Sequence, residues 1–350
     1  MSGLPARSSS APIRLVPRGA SFALACHACG RCCNSPPSLS MRELFRHRER
    51  FVASIAIARV PRRRLGERIR IGELGHELDA EDLAAHDALA DRLYPRIAPG
   101  GDCLSLSLRG HDYASRERCP ALSDDGHCSL HAAGKPAICE AVPLDPLAPD
   151  RLQAFVLGAR REQAEWIGAG CLSERGEPDV TDAAEPLVEA GRVLAGAALA
   201  ACREALEVER AIWRDAIAAQ LIASGPEWAR SWAQLPPGAH LTIPAVPALL
   251  AIARISSRCR EATIEVLDCQ RRLIGSMVEA ALERRLPEDR ATTRELRAHA
   301  EACEKARREL ASIDAAPVPP AIDSAAVEAW LGLAWRARGL GRIHGGWRAS

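Results

Sequence analysis

The chain has 350 residues, 47% of them hydrophobic and 26% charged, which excludes a disordered or collagen-like polymer and allows one large or two ordinary domains. Forty-six basic against 45 acidic residues leave a net charge of +1, so no global field steers the chain to nucleic acid or to an anionic membrane. Only Lys135 and Lys305 are lysines, and the other 44 basic residues are arginines in an alanine-rich chain, a bias that reads as genomic rather than functional.

Residues 1–21 read as a Pro/Arg/Ser-rich tail. Residues 1–25 lack the continuous apolar core of an export signal, and the apolar run around Val193 to Cys202 is about half of what a membrane span needs. The expectation is a cytoplasmic, soluble protein. In a reducing compartment, clustered cysteines point to metal or redox chemistry rather than to structural disulfides.

Cysteine is the informative residue: nine of the 13 lie in residues 1–171. The first cluster is CHACGRCC, residues 26–33, closed by Asn34-Ser35-Pro36-Pro37. A helix is predicted to start at Ser40, which with Glu43 makes a capping box, and the apolar positions Leu44, Phe45, Val52 and Ile55 continue its pattern. Pro61 breaks it, and a second helix is predicted over Ala80–Leu93, stopped by Tyr94-Pro95. The alternation CLSLSLR between Pro99 and Arg118 predicts a half-buried strand in a short hairpin. A second cysteine region runs over residues 119–139 around an Asp124-Asp125-Gly126 turn, residues 151–158 read as a further strand, and Gly168 to Cys171 as a glycine-flanked loop.

From about residue 183 the composition turns helix-favouring, with breaks at Gly225-Pro226, Pro236-Pro237-Gly238, Pro287 and Pro317 to Pro320. Four or five helices are predicted, with Pro247–Leu286 as one central buried helix. The fold class is therefore α+β: a loop-rich cysteine-cluster domain over residues 22–180 with short strands and a few helices, a mainly helical domain over 181–338, and a tail over 339–350.

Cys26, Cys29, Cys32 and Cys33 read C-x2-C-x2-C-C across a turn at Gly30. Such spacing lets sulfurs converge on one centre, and its first three positions match a ferredoxin loop. Cys119, Cys128, Cys139 and Cys171 complete eight candidate thiolate ligands. They allow two four-thiolate sites, one iron–sulfur cluster with a zinc, or one cluster with extra redox thiols. The ferredoxin-like spacing and the absence of a second C-x2-C pair favour an iron–sulfur cluster over Zn2+. Cys103, Cys202, Cys259, Cys269 and Cys303 are isolated and read as buried thiols. His27, His127 and His131 lie within the motifs as supporting groups, and His76 and His86 have no partner at ligand spacing. The arginines between Arg59 and Arg70 read as a solvated face, and the glycine-rich C-terminus follows a helix rather than the strand a phosphate loop requires.

The motifs CxxCGxCC, Leu39-Ser40-x-x-Glu43, CPxLxxxGxCxL, Lys135-Pro136-x-x-Cys139 and Gly170-Cys171 together resemble the YkgJ-type cysteine-cluster family, described as zinc- or iron-chelating. The resemblance spans Phe22 to Cys171 and implies that the family's eight cysteines fall on Cys26, Cys29, Cys32, Cys33, Cys119, Cys128, Cys139 and Cys171. The chain departs from the pattern at Leu130-His131, where Ile-Tyr is usual, at Lys135 for Arg, and at Glu140, which puts a carboxylate where an arginine would offset the thiolates. A relative of similar arrangement, the flagellin lysine N-methylase, implies that some members pair such a centre with S-adenosylmethionine. Three readings follow for an unknown protein or small-molecule partner: a redox or accessory metal protein, a cluster-dependent modifying enzyme, which should carry an apolar pocket beside the cluster, and a zinc-stapled interaction module.

Overall fold

Val52, Ile55 and Ile57, which continue a helical pattern in the sequence, belong to a strand. In the computed structural model, which describes residues 14–15, 19–26, 30–97, 101–162, 171–174, 184–236, 238–312 and 323–333, helix α1 (Met41–Arg46) starts on the Ser40–Glu43 capping box and closes at His47, whose N–H bonds the Glu43 carbonyl. The run VASIAIARV is rich in β-branched residues that suit a pleated surface, and it becomes strand β3 (Val52–Val60), buried on both faces over its first six residues.

Before α1 lie β1 (Arg14–Leu15) and β2 (Phe22–Leu24). After β3 come β4 (Arg68–Ile71), β5 (Leu74–Glu77) and α2 (Ala80–Leu93). Helix α2 has its own box, with the Asp79 side chain accepting from Asp82 N and Asp82 reaching back, and it ends at Tyr94 as predicted. The CLSLSLR segment forms one long strand, β6 (Cys103–His111), paired along its length with β3 rather than folded as a local hairpin. Leu104, Leu106 and Leu108 enter the main core from one face of it.

Next are α3 (Ala137–Ala141) and α4 (Gln153–Glu162). The latter corrects the strand expected over 151–158: Gln153 to Ala159 are all buried, and a short run buried all round carries no period that separates strand from helix. Strands β7 (Leu172–Glu174), β8 (Glu185–Glu189) and β9 (Arg192–Val193) follow. The remainder is α5 (Gly196–Glu209), a π-helical turn at Arg210–Arg214, α6 (Asp215–Ala223), α7 (Pro226–Gln234), β10 (His240–Pro244), α8 (Val246–Ala253), α9 (Ser257–Arg284), α10 (Asp289–Ser312) and α11 (Ser324–Trp330). The helix expected over Pro247–Leu286 is thus two, because Ser256 takes extended backbone and caps α9 by accepting from Cys259 N. There are more helices than the four or five predicted.

The class is α+β with a helical C-terminal region. The sheets run β1-β5-β4, β10-β3-β6 and β7-β2-β8-β9. Two of them cross the expected boundary at residue 180: β8 pairs with β2, and β10 pairs with β3 over five residues. The largest core does so too, joining Leu44, Ile55 and Leu106 to Trp213, Leu249, Val266 and Leu310. Most of the predicted tail over 1–21 and all of that over 339–350 lie outside the described residues, as do Gly168 to Gly170 and Pro317 to Pro320. Among the described residues, no helix is long and apolar enough to cross a membrane.

Candidate metal centre

Four thiols distant in sequence, those of Cys33, Cys119, Cys128 and Cys139, lie in one neighbourhood beside α1 and α3. Gly30, at φ +73°, turns the chain into a one-turn 3-10 helix at Arg31–Cys33. This left-handed backbone is where glycine carries no Cβ penalty. The Cys33 carbonyl accepts from Cys119 N at 2.7 Å, which sets the two cysteines side by side. Cys119 is buried, and its Sγ accepts from Ala121 N at 3.5 Å. The chain then reverses through Ser123–Gly126, and an antiparallel bridge between Leu122 and Cys128 brings Cys128 back to Cys119. The third residue of α3 is Cys139.

Electrostatics ties the four together. Burial pushes the Cys119 thiol up to about 11, and the nearby Cys33 and Cys128 thiols add to the shift. Cys139 is pushed up further, again first by burial and then by Cys119, Cys33, Cys128 and Glu43. Thiolates in a low-dielectric site repel one another, and a cation among them removes that cost.

Helix α3 is held in place by α1. The Glu43 carboxylate accepts from Ser40 N at 2.7 Å with one oxygen and from Ala137 N at 2.6 Å with the other. One side chain thereby satisfies the first turn of two helices. His47 Nε2 also bonds the Gly134 carbonyl at 3.0 Å. In the sequence Glu43 is legible only as a cap, and nothing there shows its reach to Ala137.

Cys26 and Cys171 lie near the β2–β7 pairing. Ala25 N donates to the Cys171 carbonyl at 2.8 Å, placing buried Cys171 beside the end of β2, where Cys26 is exposed. Exposed Cys32 is close enough to Arg160 to raise that guanidinium's affinity for its proton, after burial, the larger effect, has lowered it and Asp145 has raised it. Arg160, from α4, thus supplies a positive charge near Cys32. Cys29 and His27 lie outside the described residues. Among the described residues, no group of three or more His, Cys, Asp or Glu side chains is arranged to hold a metal ion as the chain stands. The donor set fits a thiophilic metal in kind, and binding one requires the sulfurs to lose their protons and draw together.

His127 and His131 are exposed, whereas His76 is buried and bonds Asp82 Oδ2 at 2.8 Å. Cys103, Cys202, Cys259, Cys269 and Cys303 are all buried. No family model matches the chain, and no curated protein or solved structure matches it either.

Proposed function

We propose that the chain is a metal-binding cysteine-cluster protein with an accessory or redox role, its thiols divided into two sets. The observation that carries this reading is the gathering of Cys33, Cys119 and Cys128 into one partly buried neighbourhood through the Cys33–Cys119 backbone bond and the Leu122–Cys128 bridge, with half-buried Cys139 on α3 near enough to feel their charge. Packing alone does not call for four adjacent thiols. This set has the composition of a closed four-thiolate site. The remaining four, Cys26, Cys29, Cys32 and Cys171, keep the ferredoxin-like spacing plus one distant cysteine, the sequence form of an iron–sulfur ligand set. The resemblance to the YkgJ-type family supports the same eight ligands. When bound, the metal would supply charge that holds the 30–33 turn, the 119–128 loop and α3 together.

The test is metal and acid-labile sulfide analysis, with an absorption spectrum, of full-length protein purified anaerobically. Two variants, Cys119→Ser with Cys139→Ser and Cys29→Ser with Cys32→Ser, are compared with the parent. Iron with matching sulfide, lost in part from each variant, is the expected result. Zinc without sulfide keeps the thiolate centre and overturns the iron assignment. Absence of metal from the parent protein overturns the reading as a whole.

A further inference from the structure

Alternation along β6 sends Leu104, Leu106 and Leu108 into the main core and turns Ser107 and Arg109 to the opposite face. That face is flanked by α1, α3 and α5 and borders a half-open cavity of about 290 Å³. Its wall is mostly apolar, with Leu39, Ile138, Ala205 and Leu206. The charged groups on it are unequally satisfied. Both oxygens of Glu43 are taken by Ser40 N and Ala137 N. Arg214 is fully buried and pairs with Glu209, yet its Nε–H is buried without an acceptor. The half-buried Arg109 guanidinium has no hydrogen-bond or ion-pair partner among the described residues. A guanidinium without an ion-pair partner at a mostly apolar cavity is the arrangement that recognises an anion carried on an apolar body.

We infer that the cavity between β6, α1, α3 and α5 binds a small carboxylate with an apolar tail, its anionic end on Arg109 and its tail against Ala205 and Leu206. The planar fork of Arg109 matches a carboxylate with two parallel bonds. Cys202, also on the wall, is no nucleophile here, because burial pushes its thiol up to about 12, helped by Glu43 and Glu140. The site stands independently of whether the thiols bind metal.

Calorimetric titration of the full-length protein with octanoate tests this, using octyl phosphate and octylamine as companions. Octanoate should bind at one site and octylamine should not. Arg109→Met should weaken octanoate tenfold or more, and Ala205→Trp, which fills the cavity, should abolish binding while circular dichroism stays unchanged. No binding of octanoate to the parent, or equal affinity in Arg109→Met, overturns the inference. Binding that survives in a folded Ala205→Trp places the ligand elsewhere and overturns it too. Octyl phosphate binding more tightly than octanoate, with the same loss in Arg109→Met, overturns the carboxylate assignment.

Discussion

Replacing Glu43 with alanine removes two charge-assisted acceptors at once: the one for Ser40 N at 2.7 Å and the one for Ala137 N at 2.6 Å. Ser40 Oγ still accepts from residue 43 N, so half of the capping box persists. Bonds to an ionised acceptor contribute about 1.5–3 kcal/mol each when buried, and loss of a cap costs about 1 kcal/mol. Since the Ser40 bond is part of that cap and Glu43 is half-buried, the expected cost of Glu43→Ala is about 2–4 kcal/mol. Glutamine keeps one acceptor oxygen and turns its amide toward the other N–H, so Glu43→Gln should cost about half as much. Urea unfolding followed by circular dichroism measures both. A second readout concerns the site: α3 loses its tether at Ala137, so Cys139 should react faster with a thiol reagent, scored against Cys139→Ser. If Glu43→Ala unfolds within about 0.5 kcal/mol of the parent, and Cys139 reacts no faster, the joint between α1 and α3 does not carry the site.

Gly30→Ala adds a Cβ at φ +73°, 3.2 Å from Leu122 Cδ2, and should cost about 1–2 kcal/mol, seen as a lower melting temperature. Glu209 is fully buried and accepts from Met41 N, Trp213 Nε1 and Arg214 Nη2; Glu209→Ala strands Arg214 without its counter-charge and should cost about 3–5 kcal/mol in urea, whereas a cost below about 1 kcal/mol would show that Arg214 finds another acceptor. Burial and the adjacent His111 ring hold His299 down at about 4. Its folded value thus lies below the ordinary 6.5, so the unfolded chain takes up the extra proton and stability is lost as pH falls from 6.5 toward 4. The loss is at most about 2 kcal/mol at pH 5, and His299→Gln should shrink the difference between unfolding at pH 7 and pH 5; an unchanged difference would remove His299 as its source.

The parts of the fold that the sequence announces are those set by local chemistry. Asp79 and Asp82 at one end and Tyr94-Pro95 at the other delimit α2 without help from the rest of the chain. The start of α1 is legible for the same reason, but its end is not, because Leu44, Phe45, Val52 and Ile55 satisfy a helical spacing while the β-branched run is claimed by pairing with β6. Likewise β10 is a short HLTIP segment whose strand character comes from pairing with the distant β3, His240 with Ala58 through to Pro244 with Ser54. At the candidate site, residue type and spacing single out eight cysteines as candidates. Which of them meet depends on the Cys33–Cys119 bond and the Leu122–Cys128 bridge, contacts that no local pattern encodes. Arg160 and Arg109 are silent in the sequence for another reason: in a chain this rich in arginine, only position separates a guanidinium at a site from a solvated one.

Helix α1 has six residues, far short of the roughly 12–15 at which an isolated helix becomes even marginal in water. Its stability must come from what it touches, and part of that lies beyond residue 180. Met41 N donates to Glu209 at the end of α5, and Met41, Leu44 and Phe45 are buried in a core completed by Trp213, Leu249 and Val266. Strand β3, which follows α1, loses β10 and becomes an edge if the second half is removed, exposing a hydrophobic strand to unpaired association. A fragment ending at residue 180 keeps every candidate cysteine ligand yet lacks these supports. It should therefore show no cooperative urea transition and should associate, and the amide exchange of α1 should be unprotected. A fragment that unfolds cooperatively as a monomer, with α1 protected, would show that the cysteine region is an autonomous domain and that the shared core is only a contact between two finished units.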